Sequence, residues 1–306
     1  MRLQSTLSLL GLSSRASRPL SLFSFGDSYT STGFNVSSTQ PSVDNPMGNP
    51  PLGLGTSADS INWVGYLTTT YNDTLVLSYN HAVYGATVDN NLVQNVPRDL
   101  VHQVTRDFVP NYCLRQSLSE SDSRSQPKLD SESESESESQ SKPRWTSDNA
   151  LFIIWIGIND INFSYLGHDY PGTIETVLQR YFSLIDTLHD CGARDFLVIN
   201  IPPIHRTPKI LQLERWKQRI YGIAIDYYNE LLLDAVDDWR DANGESTMRI
   251  YDAWTFTSRV LDSPKDYGFL DGTCLGEGCI WFDHLHPRSA FHTLLARDIA
   301  RFLRDS

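Results

Sequence analysis

The 306-residue sequence has few cysteines, few basic residues and no long apolar run, and each shortage excludes a class of protein. Its 4 cysteines are too few for a disulfide-rich scaffold. Its 25 Lys and Arg are outnumbered by 37 Asp and Glu, and the net charge of −12 argues against nucleic-acid and anionic-membrane binding. The longest apolar run, Leu151 to Ile158, is too short to cross a bilayer. We therefore expect neither a nucleic acid nor a membrane as partner.

The N-terminal region also lacks acidic residues. The first 26 residues contain no Asp or Glu but include Arg2, Arg15 and Arg18. Residues 1–19 are therefore a candidate signal or targeting segment, with a short apolar centre at Leu7 to Leu12. The same composition fits a mitochondrial transit peptide or a misassigned start site. Three N-glycosylation sequons favour a secreted glycoprotein, and they begin at Asn35, Asn72 and Asn162.

Two of the cysteines are close together in a glycine-rich stretch. Cys274 and Cys279 are candidates for a small disulfide loop in an oxidising compartment. The alternative is a zinc site with His284 and His286 as further ligands, although the spacing matches no common structural zinc pattern. The sequence leaves open whether the other two cysteines, Cys113 and Cys191, are paired or free.

One segment cannot contribute to a core. Ser117 to Lys142 is polar and contains a Ser-Glu repeat from Ser131 to Ser139, so we expect a disordered insertion at about residues 115–143. Phosphorylation or cation binding there is the alternative to a plain solvated loop. The strand–helix alternation resumes after the insertion. We therefore expect one domain over residues 20–306.

The remaining sequence alternates apolar strands with amphipathic helices. The predicted strands are Leu20–Phe25, Leu75–Val83, Ala150–Ile156, Phe196–Ile201 and Met248–Tyr251. The predicted helices are Asn62–Tyr71, Asp99–Val109, Thr173–Asp190, Pro208–Arg240 and Ser289–Leu303, after a long loop at residues 35–60. This alternation predicts an α/β fold, a three-layer α/β/α sandwich with a parallel sheet. In such sheets, sites lie beyond the carboxyl ends of the strands.

Residues capable of catalysis occur at those strand ends. Ser28 follows the first strand, Gly85 follows the second, and Asn159 follows the third. Asp283 and His286 lie in a late loop, three residues apart. Each alone has an ordinary explanation as a helix cap, a turn residue or an exposed loop residue. Their joint placement at predicted strand ends and in one late loop favours a shared site.

These segments resemble the four sequence blocks of the GDSL/SGNH serine hydrolases, and the resemblance runs from about Leu20 to Leu303. Three further segments resemble sequences of the fungal branch of this family, which includes acetylesterases of carbohydrate esterase family sixteen. They are Asn62-Trp63-Val64, Asn80 to Thr87 and Trp155 to Asp160. The resemblance implies a flavodoxin-like sheet and the SGNH hydrolase fold.

The same resemblance implies a role for each candidate. Ser28 would be the nucleophile, and Asp283 and His286 would complete the triad. The N–H groups of Ser28 and Gly85 and the Asn159 amide would form the oxyanion hole. These roles fit the chemistry, because a serine hydroxyl needs a base to take its proton and a carboxylate to orient that base. His284 competes with His286, although Asp-x-x-His is the spacing of the family.

We therefore expect a serine esterase that needs no metal or organic cofactor. The resemblance implies short acetyl esters on plant cell-wall oligosaccharides as substrates, and a secreted enzyme. Tyr29 and Trp281 are candidate substrate contacts because they are aromatic and close in sequence to the triad. Asp27 and Asp160 are expected to be structural. The alternatives are a lipase for longer acyl chains and a non-catalytic carbohydrate-binding relative. No pattern predicts an oligomer, so we expect a monomer.

Overall fold

The computed structural model describes residues 18–113 and 145–306, in which five strands form one parallel sheet. The strands are β1 (Leu20–Gly26), β2 (Val76–Asn80), β3 (Ala150–Trp155), β4 (Asp195–Ile199) and β5 (Thr247–Tyr251). Their order in the sheet is β2-β1-β3-β4-β5, which is the flavodoxin-like order. The predicted α/β fold with a parallel sheet is thus confirmed. Residues 1–17 of the predicted leader and the predicted insertion at 115–143 lie outside the described residues.

Helices flank this sheet. They are α1 (Trp63–Thr69), α2 (Leu100–His102), α3 (Val109–Tyr112), α4 (Ile158–Ser164), α5 (Tyr170–Asp190), α6 (Pro208–Leu211), α7 (Arg215–Ala242), α8 (Ala253–Asp262) and α9 (Ser289–Asp305). A π-helix, Gln103–Phe108, joins α2 to α3. The first helix packs against the last, and α5 packs against α7. No helix in residues 18–113 or 145–306 is long and apolar enough to span a membrane.

The core is built on the central strands. All six residues of β3 are buried, as expected for a parallel strand covered on both faces. On one face, the rings of Phe23 and Phe152 stack 4.9 Å apart and pack against Phe108 and Trp145. Burial of such rings is the main contribution to stability, at about 25 cal/mol per Å² of apolar surface. This packing fixes β1 and β3, the two strands whose carboxyl ends carry the candidate site.

Strand β2 is shorter than predicted. It ends at Asn80, whereas the apolar pattern predicted a strand to Val83. The Asn80 side chain explains the early end, because its Oδ1 accepts a hydrogen bond from the Ala82 N–H, 3.1 Å away. Such a turn interrupts the regular strand geometry, although the N–H groups of His81 and Val83 still donate to the β1 carbonyls of Ser24 (2.7 Å) and Gly26 (3.0 Å). The chain therefore stays beside β1 as far as Val83 without forming a regular strand.

The predicted helix over residues 208–240 is divided into α6 and α7. Gln218 stabilises the break, because its Nε2 donates to the carbonyl oxygens of Leu211 (3.1 Å) and Leu213 (2.8 Å). Those carbonyls would otherwise be left without partners at the end of α6. The apolar periodicity of the two helices continues across the break. Periodicity alone therefore did not reveal it.

Two further helices, α4 and α8, were not predicted. The motif Asn159-Asp160 suggested a turn, but both residues lie in the first turn of α4. Asp160 directs its carboxylate to the Val88 N–H, 3.0 Å away, so it does not form a local turn. Helix α8 begins at an N-cap that the sequence analysis overlooked, in which Asp252 accepts from the Thr255 N–H at 3.0 Å.

Candidate active site

The turn that carries Ser28 begins where β1 meets β3. Gly26 is the last residue of β1 and has φ +148°, and a Cβ there would lie 2.1 Å from the Trp155 carbonyl oxygen. Only glycine allows this close approach. The chain then turns tightly, because the Asp27 carbonyl accepts from the N–H groups of Thr30 and Ser31. Residues 26–31, hereafter the nucleophile turn, thus present Ser28 beyond the end of the sheet.

Asparagine side chains hold this turn from outside. Asn62 donates to the carbonyl oxygens of Thr30 and Ser31, each at 2.9 Å, and Asn80 donates to Thr30 at 2.7 Å. Both asparagines are 1% exposed. Asn62 also caps α1 by accepting from the Gly65 N–H. The two asparagines thereby connect the nucleophile turn to α1 and to the end of β2.

Two more buried side chains hold the ends of the turn. Gln103 donates to the Gly26 carbonyl at 2.8 Å and accepts from the Gly26 N–H at 2.9 Å. The Trp63 indole donates to the Tyr29 carbonyl at 2.9 Å. Trp63 belongs to a segment that carries the family resemblance, whereas Gln103 was not among the predicted site residues. No local pattern distinguished Gln103, because residues 99–109 mix polar and apolar side chains.

His286 lies between Ser28 and Asp283. Its Nε2 is 2.9 Å from the Ser28 Oγ, and its Nδ1 is 2.8 Å from the Asp283 Oδ2. The Asp283 Oδ1 accepts from the N–H groups of Leu285 and His286, each at 2.7 Å. Residues 282–287, hereafter the acid–base loop, therefore orient the carboxylate and the imidazole together. In this order the imidazole can take the proton of the serine hydroxyl, and the carboxylate can orient the imidazole and stabilise its cation.

The half-buried carboxyl group of Asp283 and the fully buried ones of Asp27 and Asp160 differ in pKa. Partial burial would raise the pKa of Asp283, but the hydrogen bonds from His286 and the Leu285 N–H outweigh it and lower the pKa below its usual value. Complete burial raises the pKa of Asp27 to about 7, and burial likewise raises that of Asp160 to about 7. Asp283 is thus an anion when it faces the imidazole, whereas Asp27 and Asp160 favour the neutral form below neutral pH.

The three groups predicted to bind an oxyanion differ in whether the protein already uses them. Within residues 18–113 and 145–306, neither the Ser28 N–H nor the Gly85 N–H donates to another protein group. Gly85 has φ +78° at the third position of a turn closed by the Ala86 N–H and the Val83 carbonyl, which leaves its own N–H free. Asn159 donates to the Ala86 carbonyl at 2.9 Å, and its Nδ2 is 3.5 Å from the Asp27 Oδ2. Its amide therefore also connects α4 to the Gly85 turn.

Both predicted substrate contacts are buried side chains that bond to backbone carbonyls. Tyr29 is 3% exposed and donates its hydroxyl to the Leu285 carbonyl at 2.7 Å. Trp281 is 2% exposed and donates its indole N–H to the Gly272 carbonyl at 2.8 Å. Little of either ring is accessible from the surface. Tyr29 instead supports the acid–base loop from beneath.

A different aromatic residue is exposed beside the imidazole. Tyr84 is 60% exposed, and its ring centroid lies 5.3 Å from that of His286, with 41° between the planes. It directly precedes Gly85, so it occupies the second position of the same turn. The sequence signal was an aromatic residue next to a predicted oxyanion donor, which the sequence analysis did not use.

The remaining candidates are also placed. His284 is exposed, and its Nδ1 pairs with Gln212 at 3.0 Å rather than with Ser28. Cys274 and Cys279 form a disulfide, which leaves neither sulfur free to bind zinc. Across the described part of the chain, no three His, Cys, Asp or Glu side chains are grouped to hold a metal. A second disulfide joins the other two cysteines, Cys113 and Cys191.

Comparisons with known proteins agree in family and in fold. The model of the GDSL-like lipase/acylhydrolase family matches residues 22–299. An acetylesterase of Thermothelomyces thermophilus is 36% identical over 91% of this chain and 86% of its own. An acetylesterase of Hypocrea jecorina is 24% identical over 90% of this chain and 86% of its own.

Solved structures share the fold at low sequence identity. A catalytic mutant of an acetylxylan esterase from Geobacillus stearothermophilus matches with a TM-score of 0.52 and 15% identity, covering 92% of this chain and 93% of its own. A GDSL-like lipase structure from Parabacteroides merdae matches with a TM-score of 0.51 and 16% identity, covering 94% of this chain and 97% of its own.

Proposed function

The chain belongs to the GDSL-like lipase/acylhydrolase family and is a carboxylic ester hydrolase, and from this premise we propose that it is a serine acetylesterase acting through an acyl-enzyme on Ser28. The observation that carries the proposal is the continuous contact from the Ser28 Oγ to the His286 Nε2 (2.9 Å) and from the His286 Nδ1 to the Asp283 Oδ2 (2.8 Å).

In the proposed first half-reaction, the Ser28 oxygen attacks the ester carbonyl while the His286 Nε2 takes its proton. Asp283 accepts a hydrogen bond from the Nδ1–H, so it fixes the tautomer and stabilises the imidazolium. The lowered pKa of Asp283 supports this role, because the carboxylate stays charged through the neutral range. The imidazolium then protonates the departing alkoxide, and the acyl group stays on Ser28.

The negative charge of the tetrahedral intermediate would be bound by the free N–H groups of Ser28 and Gly85 and by the Asn159 amide. Such donors stabilise the transition state because they are already oriented, and losing one typically costs about 10²–10³ in turnover. In the second half-reaction, His286 takes a proton from water, which attacks the acyl carbonyl. Collapse of the second intermediate releases the acid and restores the Ser28 hydroxyl.

The proposed substrates are short-chain acetyl esters, in particular those on plant cell-wall oligosaccharides. Two fungal relatives named acetylesterases, which align over most of this chain, support the acetyl group. The acyl chain length distinguishes this proposal from a lipase of the same mechanism.

The test is a series of p-nitrophenyl esters from acetate to octanoate, hydrolysed by the purified protein and by Ser28→Ala. We expect a steep preference for acetate and a loss of at least about 10⁴-fold in the variant. A preference for octanoate would replace the acetylesterase with a lipase. Equal activity in the variant, with both proteins folded by circular dichroism, would exclude the Ser28 mechanism.

We further propose that the enzyme is secreted and glycosylated at Asn35. Asn35 is exposed in a loop, and its Nδ2 donates to no group in the described part of the chain. The Asn72 Nδ2 already donates to the carbonyl oxygens of Leu67 and Thr68, and Asn162 lies in α4 with its Oδ1 paired to Lys209. The two disulfides also fit an oxidising compartment.

The glycosylation test is the intact mass of protein secreted from a eukaryotic host, before and after deglycosylation. Asn35→Gln is expected to remove most of the glycan mass, whereas Asn72→Gln and Asn162→Gln are expected to remove little. A glycan that survives Asn35→Gln in full would contradict the assignment.

A further inference from the structure

Two tyrosine rings contact the His286 imidazole, and they differ in what surrounds them. Tyr29 is buried, with its ring centroid 6.0 Å from that of His286 and its hydroxyl bonded to the Leu285 carbonyl. Tyr84 is exposed, with its centroid 5.3 Å away, and its hydroxyl bonds no group in residues 18–113 or 145–306. The protein therefore uses Tyr29 internally, whereas the Tyr84 ring is open to a ligand.

The local backbone holds Tyr84 in this position. The turn from Val83 to Ala86 is closed by a backbone hydrogen bond of 3.0 Å, with Tyr84 second and Gly85 third. Asn95 donates to the Gly85 carbonyl, and Asp160 accepts from the Val88 N–H, so the turn is fixed on both sides. A turn fixed in this way sets the direction in which the Tyr84 side chain leaves the backbone, so less of the chain has to be ordered when a ligand binds.

The proposed reaction defines which part of an ester lies near this ring. The acyl oxygen must face the free N–H of Gly85, whereas the alcohol oxygen must reach the His286 Nε2, which gives it a proton. The alcohol portion therefore leaves over the imidazole. Tyr84 lies against that imidazole, so it adjoins the alcohol portion rather than the acyl chain.

Building on the proposed function, we propose that Tyr84 is a specificity-determining residue that binds the ring of the alcohol portion of the ester, such as a pyranose. Aromatic faces pack well on flat apolar surfaces, and such contacts change affinity by a factor of about 2 to 12. A small alcohol such as ethanol would not reach the ring. Tyr84 would thus favour acetate esters of cyclic alcohols over acetate esters of small alcohols.

The test compares kcat/KM for ethyl acetate, benzyl acetate and acetylated xylobiose, which share the acyl group. In Tyr84→Leu, we expect a loss of roughly 3- to 10-fold on the two cyclic esters and a change within about twofold on ethyl acetate. Tyr84→Phe keeps the ring and is expected to resemble the wild type. Trp216→Ala is the matched control, because Trp216 is 53% exposed and stacks with Lys217 rather than with His286.

Three other outcomes would overturn the proposal. Equal losses on all three esters, with a shifted pH profile of kcat/KM, would mean that Tyr84 acts on the imidazole. Unchanged kinetics would mean that the ring binds nothing, while the proposed esterase would stand. If the wild type hydrolysed none of the esters faster than Ser28→Ala, the proposed esterase function would be wrong. The proposal for Tyr84 would then lose its premise. Melting temperatures of all variants verify that they are folded.

Discussion

The nucleophile turn and the acid–base loop, the two halves of the candidate site, are held in different ways. Carbonyl groups of the nucleophile turn accept hydrogen bonds from buried side chains on other elements, among them Asn62, Asn80 and Gln103. The acid–base loop mainly bonds to itself, through the Asp283 carboxylate and the His286 carbonyl. The first half therefore depends on distant parts of the fold, whereas the second is organised locally.

The carboxyl groups of the two halves also differ in how deeply they are buried. Asp27 in the nucleophile turn is 0% exposed, whereas the Asp283 side chain is 48% exposed. A buried group contributes to stability and is costly to change, whereas a half-exposed group can be changed with little effect on folding. The comparison predicts that substitutions of the buried side chains that donate to the nucleophile turn affect mainly stability. Substitutions in the acid–base loop should affect mainly catalysis.

The largest expected effect is on catalysis, from Asp283→Asn. The asparagine Oδ1 can still accept from the Leu285 and His286 N–H groups, but its amide cannot accept from the imidazole Nδ1–H. We expect kcat on p-nitrophenyl acetate to fall about 10⁴-fold, while the free energy of unfolding changes by less than about 1 kcal/mol. Steady-state kinetics and urea unfolding of the same preparation measure both. A stability loss above about 2 kcal/mol would show that this loop, too, supports the fold.

The next effect is on stability, from Asn62→Ala. The substitution removes the cap of α1 and leaves the buried Ser31 carbonyl without a donor, whereas the Thr30 carbonyl keeps the hydrogen bond from Asn80. We expect a loss of about 2–4 kcal/mol in the free energy of unfolding, and a fall in kcat of only about tenfold. Urea unfolding followed by tryptophan fluorescence measures the first, and ester hydrolysis measures the second.

Asn72→Ala is the matched control for this substitution. Asn72 lies at the other end of α1 and also donates to two carbonyls, those of Leu67 and Thr68, but it is partly exposed and remote from the nucleophile turn. Water can replace its amide, so we expect a loss of about 1 kcal/mol or less and unchanged kcat. Equal losses from the two variants would show that contact with the nucleophile turn adds nothing to the stability of this helix.

The sequence predicted local organisation better than contacts between distant segments. Strand positions and the spacing of Asp283 and His286 followed from periodicity and from a short motif within one loop. Tyr29 and Trp281 were assigned to the cleft from their positions in sequence, but neighbours along a chain point in different directions, and both are buried. Gln103 was missed because its partner, Gly26, is 77 residues away.

Helix boundaries show the same limit. The break before Arg215 depends on Gln218 bonding back to two carbonyls, and α4 depends on Asp160 bonding to Val88 across the site. Apolar periodicity predicts neither bond, because each polar side chain could bond to any of several groups. Sequence patterns describe which faces are apolar, whereas the partner of each polar group is set by the tertiary fold.

The smallest expected effect, counted per pH unit, is on the pH dependence of stability contributed by the nucleophile turn. Burial raises the pKa of Asp27 to about 7 from an ordinary value of 3.8. Between about pH 4 and pH 7 the folded chain therefore keeps a proton that the unfolded chain has released, so through this group the free energy of unfolding falls as pH rises. Asp27→Asn removes that contribution. We expect its slope of unfolding free energy against pH to be less negative than that of the wild type, by at most about 1.4 kcal/mol per pH unit.

Asp271→Asn, beside the Cys274–Cys279 disulfide, is the control of opposite sign. Hydrogen bonds from the N–H groups of Thr273 and Cys274 lower the pKa of Asp271. Its contribution is therefore present above the ordinary pKa and is lost as pH falls below it. It is largely exposed, so the effect should be slight and confined to acid conditions. Urea unfolding at pH 4, 5, 6 and 7 compares both variants with the wild type. If Asp27→Asn left the slope unchanged, Asp27 would already be ionised in the folded protein, and its burial would not separate it from an exposed carboxylate such as Asp271.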